Sequence, residues 1–142
     1  MAKSRKTPRS WQDKLRVPGM PVVKPAPVDI AGMKAGQAML VPTPQLIEAF
    51  MRAIPKGEAV DVKAVRGALA TTHHAEVTCP IYTGFHLRTV AEAAYEQYLE
   101  GVPLTEIAPF WRVIDVRTPT AKRLACGTGF VRVQRLAEGL SP

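Results

Sequence analysis

Apolar residues fall on one helical face most plainly at Leu46, Ile47, Phe50, Met51 and Ile54, the i, i+3, i+4, i+7 spacing of a half-buried helix. Thr43 and Pro44 stand just before them, a capping hydroxyl followed by a proline whose missing N–H costs nothing at the first helical position. Pro55-Lys56-Gly57 predicts the stop. A second helix is expected from Asp61, with Val62, Val65 and Leu69 as its apolar stripe and Lys63 and Arg66 on the other side. Two helices this close across a tight turn predict a helix-turn-helix core. A third helix is expected to open at Thr78-Cys79-Pro80 and to run to about Glu100, where Gly101 and Pro103 end it. Its pattern predicts Ala91, Ala94, Tyr95 and Tyr98 on the buried face and Glu92, Glu96 and Glu100 in solvent.

The pattern is weaker at the two ends. Ser10 is placed to cap a short helix over residues 11–16, ended by Pro18-Gly19, with Trp11 and Leu15 as a small apolar patch. Residues 20–44 carry closely spaced prolines and glycines around Met39-Leu40-Val41, which predicts extended chain wrapping the domain with one short strand. After the third helix, Val113-Ile114-Asp115-Val116 alternates like a short strand, residues 117–129 read as loop, and a last helix is expected over 130–140 with Val133 and Leu136 inward. The fold class is therefore mainly α with a small β component. Residues 1–43 are expected to form a basic, proline-rich arm and residues 44–142 the domain.

Composition sharpens this picture in three ways. The 142 residues suffice for one core but not for two independent enzymatic domains. The net charge is +7, and residues 1–16 hold six basic side chains (Lys3, Arg5, Lys6, Arg9, Lys14 and Arg16) against Asp13, so five of the seven net charges lie there. Such an arm is attracted to polyanions or is simply solvated. The two cysteines and three histidines lack the spacing of a disulfide framework or a zinc site, so no metal or cofactor is expected. No apolar run approaches the roughly 18 residues of a membrane span, and the opening Met-Ala-Lys-Ser-Arg-Lys lacks the apolar segment of a secretory signal. A cytoplasmic protein without membrane partners is expected, and a monomer.

Candidate chemistry gathers in two places. The first turns of the third helix carry Thr78, Cys79, Tyr82, Thr83, His86 and Arg88, small hydrogen-bonding groups with an aromatic and cations at the positive helix end, which suits phosphate contact and base readout. A plain cap followed by solvated polar residues fits the same text. Gly84 inside this helix destabilises it by about 1 kcal/mol and points to close approach of another backbone, protein or nucleic acid. The second place is Pro109-Phe110-Trp111-Arg112-Val113-Ile114, where two aromatics serve either as core or as pocket lining. Arg117, Lys122 and Arg123 follow in the expected loop.

The order Ile54-Pro55-Lys56-Gly57, two helices, Pro109-Phe110-Trp111-Arg112-Val113-Ile114, a basic loop, a helix and Ala137-Glu138-Gly139 resembles the C-terminal winged-helix domain of alkylguanine-DNA alkyltransferases. Over about residues 10–140 the chain is also similar to a group of small uncharacterised relatives, through Ser10-Trp11, Cys79-Pro80-Ile81, Thr83-Gly84 and the aromatic-Trp-Arg block. In the alkyltransferases that block reads Pro-Cys-His-Arg-Val-Ile, in which the cysteine accepts the alkyl group, the histidine acts as base and a glutamate orients it. Here Phe110 and Trp111 occupy the cysteine and histidine positions, and neither a phenyl ring nor a donor-only indole can do that chemistry. Tyr82 lies near the position of the arginine that the family inserts into the duplex.

The resemblance implies a winged-helix-like, non-catalytic protein that binds double-stranded DNA, with alkylated guanine as its lesion and a repair protein as partner. The DNA contacts are expected from Thr78, Tyr82, Thr83, His86, Arg88, Arg112, Arg117, Lys122 and Arg123, and the pocket from Tyr82, Phe110, Trp111 and Glu138. Two alternatives stand beside it. Cys79, near a helix N-terminus that lowers a thiol pKa, with His86 or His74 close by, is a candidate displaced alkyl acceptor. The third reading is a protein-protein adaptor on the same scaffold.

Overall fold

A computed structural model of the chain describes residues 10–142. Lys3, Arg5, Lys6 and Arg9, four basic residues of the expected arm, lie outside the described residues. Along the chain come α1 (Trp11–Leu15), β1 (Val22–Pro25), β2 (Ala38–Val41), α2 (Pro44–Arg52), α3 (Val62–Thr72), β3 (Val77–Thr78), α4 (Pro80–Leu99) and α5 (Gly127–Ala137), with 3-10 turns at Leu104–Glu106, Phe110–Arg112 and Pro119–Arg123. The chain is mainly α with a small sheet. Local chemistry sets the helix starts: the Ser10, Thr43 and Asp61 side chains accept from Asp13, Leu46 and Ala64 N–H, and Pro44 and Pro80 occupy first turns.

Residues 20–44 hold two strands rather than one. β1 pairs antiparallel with β2, Val22 opposite Val41 and Pro25 opposite Ala38, and β2 pairs parallel with β3 through Met39–Val77 and Leu40–Thr78. Parallel neighbours need a long crossover, which α2 and α3 supply. β1 is exposed at every residue and ends in a proline, as an edge strand tolerates, and β3 is only two residues long. Neither leaves an alternating pattern in the sequence.

The main core joins Leu40 of β2, Ile47 and Met51 of α2, Val65 and Leu69 of α3 and Leu87, Val90, Ala91 and Ala94 of α4 to Phe110, Ile114 and Val131. The expected strand at 113–116 does not form. Pro109 leads into a 3-10 turn, the Ile114 N–H bonds to the Phe110 carbonyl at 2.9 Å, and Val113 and Ile114 enter the core as buried turn residues with no strand beside them. β-Branched residues reported burial here, not extension. Residues 117–129 likewise contain a 3-10 turn and the start of α5.

α5 begins at Gly127, and its buried positions are Val131 and Arg135, while Val133 and Leu136 are 61% and 53% exposed. The cause lies in its neighbours. Phe130 stacks on Phe110 with ring centroids 5.9 Å apart, and Arg135 donates to the Trp111 carbonyl at 2.6 Å, which turns the 131/135 side inward. The glutamates of α4 also depart from expectation. Glu92 is buried and accepts from the Ala125 N–H at 3.1 Å, Glu96 accepts from the Trp11 and Gln12 N–H groups at 3.1 Å each, and Glu100 accepts from the Gln12 amide. Tyr98, expected inside, is exposed and packs edge-on against Phe130. Among the described residues no helix is long and apolar enough to cross a membrane.

Phe110 is 0% exposed and touches both Trp111 and Phe130. Its truncation leaves a void the surrounding helices cannot fully close, so Phe110→Ala should lower stability by about 3 to 5 kcal/mol, measured by denaturant unfolding. A loss under 1 kcal/mol would mean that the ring is not part of the core.

Candidate nucleic-acid interface

The first two turns of α4 separate their side chains sharply. Thr78 and Thr83 are buried and their hydroxyls donate inward, to the Arg66 and Cys79 carbonyls at 2.7 Å each. Thr78 ties β3 to α3 and Thr83 holds the first turn of α4, so neither is available to a partner, which corrects the expectation that they make DNA contacts. Cys79 is buried against Ala26, Met33 and Met39, so its sulfur is not presented to solvent. Ile81, Tyr82 and Phe85 point outward, with Tyr82 and Phe85 45% and 61% exposed. The Tyr82 ring meets Phe85 edge-on at 6.3 Å and lies 5.8 Å from His86. His86 is half-buried; burial lowers its pKa, partly offset by a hydrogen bond to the Pro42 carbonyl, so the ring is neutral at pH 7 and adds no cation.

One turn further on, Arg88 is held on three sides: its Nε is 3.4 Å from Glu92 Oε2, its Nη2 donates to the Arg123 carbonyl at 3.4 Å, and its guanidinium lies 5.1 Å from the Trp11 ring centre. Lys14 sits 4.1 Å from the same ring, so Trp11 carries two cations. Trp11 is brought there by the Glu96 carboxylate, which caps α1 from the side of α4. Together Trp11, Gly84, Phe85, Arg88, Thr120 and Arg123 line a cleft of about 360 Å³. A Cβ built on Gly84 meets nothing within 4 Å, so no part of the protein requires a glycine there. Arg123 is exposed at the cleft, and Lys122 and Arg117 are exposed nearby in sequence.

The block at 109–114 is a separate, filled place. Trp111 Nε1 donates to Glu138 Oε2 at 2.7 Å, Arg112 donates to the same carboxylate at 2.9 and 3.0 Å and to the Ile54 carbonyl at 2.8 Å, and the Gly57 N–H reaches Glu138 Oε1 at 2.9 Å. Gly57 takes a left-handed φ of +84° to make this approach. Arg112 is thus an internal tie and not an outward cation. Tyr82 does not join Phe110, Trp111 and Glu138: it lies on the exposed face of α4, Phe110 is enclosed in the core, and the cleft that holds Trp111 and Glu138 contains neither. Cys126 is half-buried, and burial together with the Glu92 charge raises its thiol to about 11, so it stays protonated and unreactive. Among the described residues no three His, Cys, Asp or Glu side chains come close enough to hold a metal ion.

Of the expected contacts Tyr82 and Arg123 are exposed and Arg88 is half-buried, while sequence reasoning did not single out Lys14 or Phe85 and read Trp11 only as part of a small apolar patch. The signal for Trp11 was present in the Ser10-capped apolar patch, since a five-residue helix has no reason to persist unless it docks on something.

Burial alone would raise the Glu138 pKa, but hydrogen bonds from Arg112, Gly57 and Trp111 and the Arg112 charge outweigh it and bring the carboxyl from 4.5 down to about 2. A folded-state pKa below the unfolded one means that the ionised carboxylate stabilises the fold. Its contribution, on the order of 3 kcal/mol, is complete above pH 4.5 and is lost as the pH falls toward 2. Glu138→Gln should therefore lower stability at pH 7 and flatten the acid limb of the stability curve, as read by denaturant titrations at several pH values. An acid limb that keeps its slope in the variant would assign the effect to another carboxylate. Comparison with protein-family models, with curated proteins and with solved structures finds no match, so the functional reading stands on the geometry of the chain itself.

Proposed function

We propose that the protein is a non-catalytic binder of double-stranded DNA, of the alkyltransferase-like kind, that uses α4 as a winged helix uses its recognition helix. The observation that carries this reading is the exposed face of Tyr82 and Phe85, with Arg88 and Arg123 in the cleft beside Phe85 and Lys14 on the Trp11 ring that walls it. Cations of this kind neutralise phosphates, and exposed aromatics wedge against base steps or stack on unpaired bases. On this face Glu92 offsets part of the Arg88 charge at 3.4 Å, and Lys14 and Arg123 supply the rest of the positive charge a phosphate would meet.

Binding without transfer follows from the chemistry of the block at 109–114. Phe110 has no lone pair and is enclosed, and the Trp111 indole already donates its N–H to Glu138. The enclosed sulfur of Cys79 argues against the alkyl-acceptor alternative. Alkylated guanine remains the candidate lesion for a physical reason: a damaged base pairs less well and is easier to extrude. In the absence of transfer chemistry, removal of the lesion would fall to a repair protein.

The test is a titration of the full chain with a plain duplex and a matched O6-alkylguanine duplex over a range of salt. Binding should weaken linearly on log–log axes, and Lys14→Gln and Arg123→Gln should each flatten the slope by about 0.9. Deleting residues 1–9 should flatten it further if the arm contacts phosphates. The intact mass of the protein should be unchanged after incubation with the alkylated duplex. Failure to bind either duplex at low salt would overturn the reading, and a stoichiometric adduct on Cys79 would replace it with alkyl transfer.

A further inference from the structure

The cleft between α1 and α4 has the makeup of a site for a ligand with one flat apolar part and one anionic part. Its apolar side is Trp11 and Phe85, the latter more than half exposed at the cleft. Its cationic side is Arg88, with the exposed Arg123 beside it. Arg88 is fixed in place by Glu92, by the Arg123 carbonyl and by the Trp11 ring, so little rotamer freedom remains to be lost on binding. The volume of about 360 Å³ lies in the ordinary range of small-ligand sites, roughly 300 to 1,000 Å³.

Gly84 supplies an independent observation. Glycine inside a helix is destabilising, and here neither packing nor backbone conformation asks for it, since φ is not positive and a Cβ would meet no protein atom within 4 Å. What the missing side chain provides is room in the cleft, next to Phe85.

We infer that this cleft seats a single unpaired nucleotide extruded from the bound duplex, with its base against Phe85 over Gly84 and its phosphate on Arg88 and Arg123. The inference rests on the DNA-binding reading and deepens it, because it names what is held and where. It places the seat on the outer face of α4 and away from Phe110, whose ring leaves no space in the core. Selectivity for a damaged base then comes from the lower cost of extruding it and not from readout of the alkyl group.

The experiment compares a duplex carrying one extrahelical adenine with the same duplex lacking it, by equilibrium titration of the full chain. The bulged duplex should bind about tenfold more tightly, the size of one stacked base. Gly84→Ala should raise the melting temperature, showing an intact and stiffened helix, and yet bring the bulged-to-plain preference close to one. Phe85→Ala, a change at an exposed position, should also collapse the preference. Equal affinity of the wild-type protein for the two duplexes, or a preference that survives both substitutions, would overturn the seat while leaving duplex binding in place. Binding to neither duplex would overturn both readings together.

Discussion

The carboxylate of Glu138 draws three donors from two distant parts of the chain, the Gly57 backbone after α2 and the neighbouring Trp111 indole and Arg112 guanidinium. A buried charge tolerates the loss of a partner poorly, so these segments hold one another in register. The same Arg112 reaches the Ile54 carbonyl and Arg135 reaches the Trp111 carbonyl, which pins the 110–112 turn from both sides. Phe110 then has one direction left, inward against Phe130. The 109–114 stretch, two aromatics and an arginine that could have lined a pocket, is thus the fastening of the core.

A second consequence of paired carboxylates is electrostatic. Glu92, Glu96 and Glu100 look from their spacing like the solvated stripe of α4, yet each is engaged: Glu92 by the Ala125 N–H, Glu96 by the first N–H groups of α1, and Glu100 by Gln12. Glu92 also pairs with Arg88 at 3.4 Å, which leaves Lys14 and Arg123 as the main positive charges on this side. On a chain of net charge +7, that arrangement favours encounter with an anionic surface on this side.

The parts of this structure that were legible in the sequence are those set by neighbours in the chain. Thr43, Asp61 and Pro80 gave helix starts to within about a residue because caps act over three positions, and the mainly helical class followed. Less legible was everything decided by distant partners. The β-branched run at 113–116 has no strand to pair with, and the inward side of α5 is chosen by Phe110 and Trp111, twenty or so residues away. Thr78 and Thr83 looked like surface donors because threonine can serve either way, and nothing local says that the Arg66 and Cys79 carbonyls will take their hydroxyls. The exposed face of α4 was half legible: Tyr82 and Arg88 from helix position, but not the wall that α1 adds to it.

That wall stands on tertiary contacts and not on its own helix. Five residues are too few to stay helical in water alone, and α1 is kept by the Glu96 carboxylate at its first N–H groups, 85 positions away in sequence, and by Leu15 in the main core. Trp11, the residue that carries Lys14 and Arg88 on its ring, is positioned by the same contacts. Undocking of α1 would therefore uncover Leu15, release Arg88 from the ring and open the cleft in a single event, so the cleft is as durable as that docking and no more.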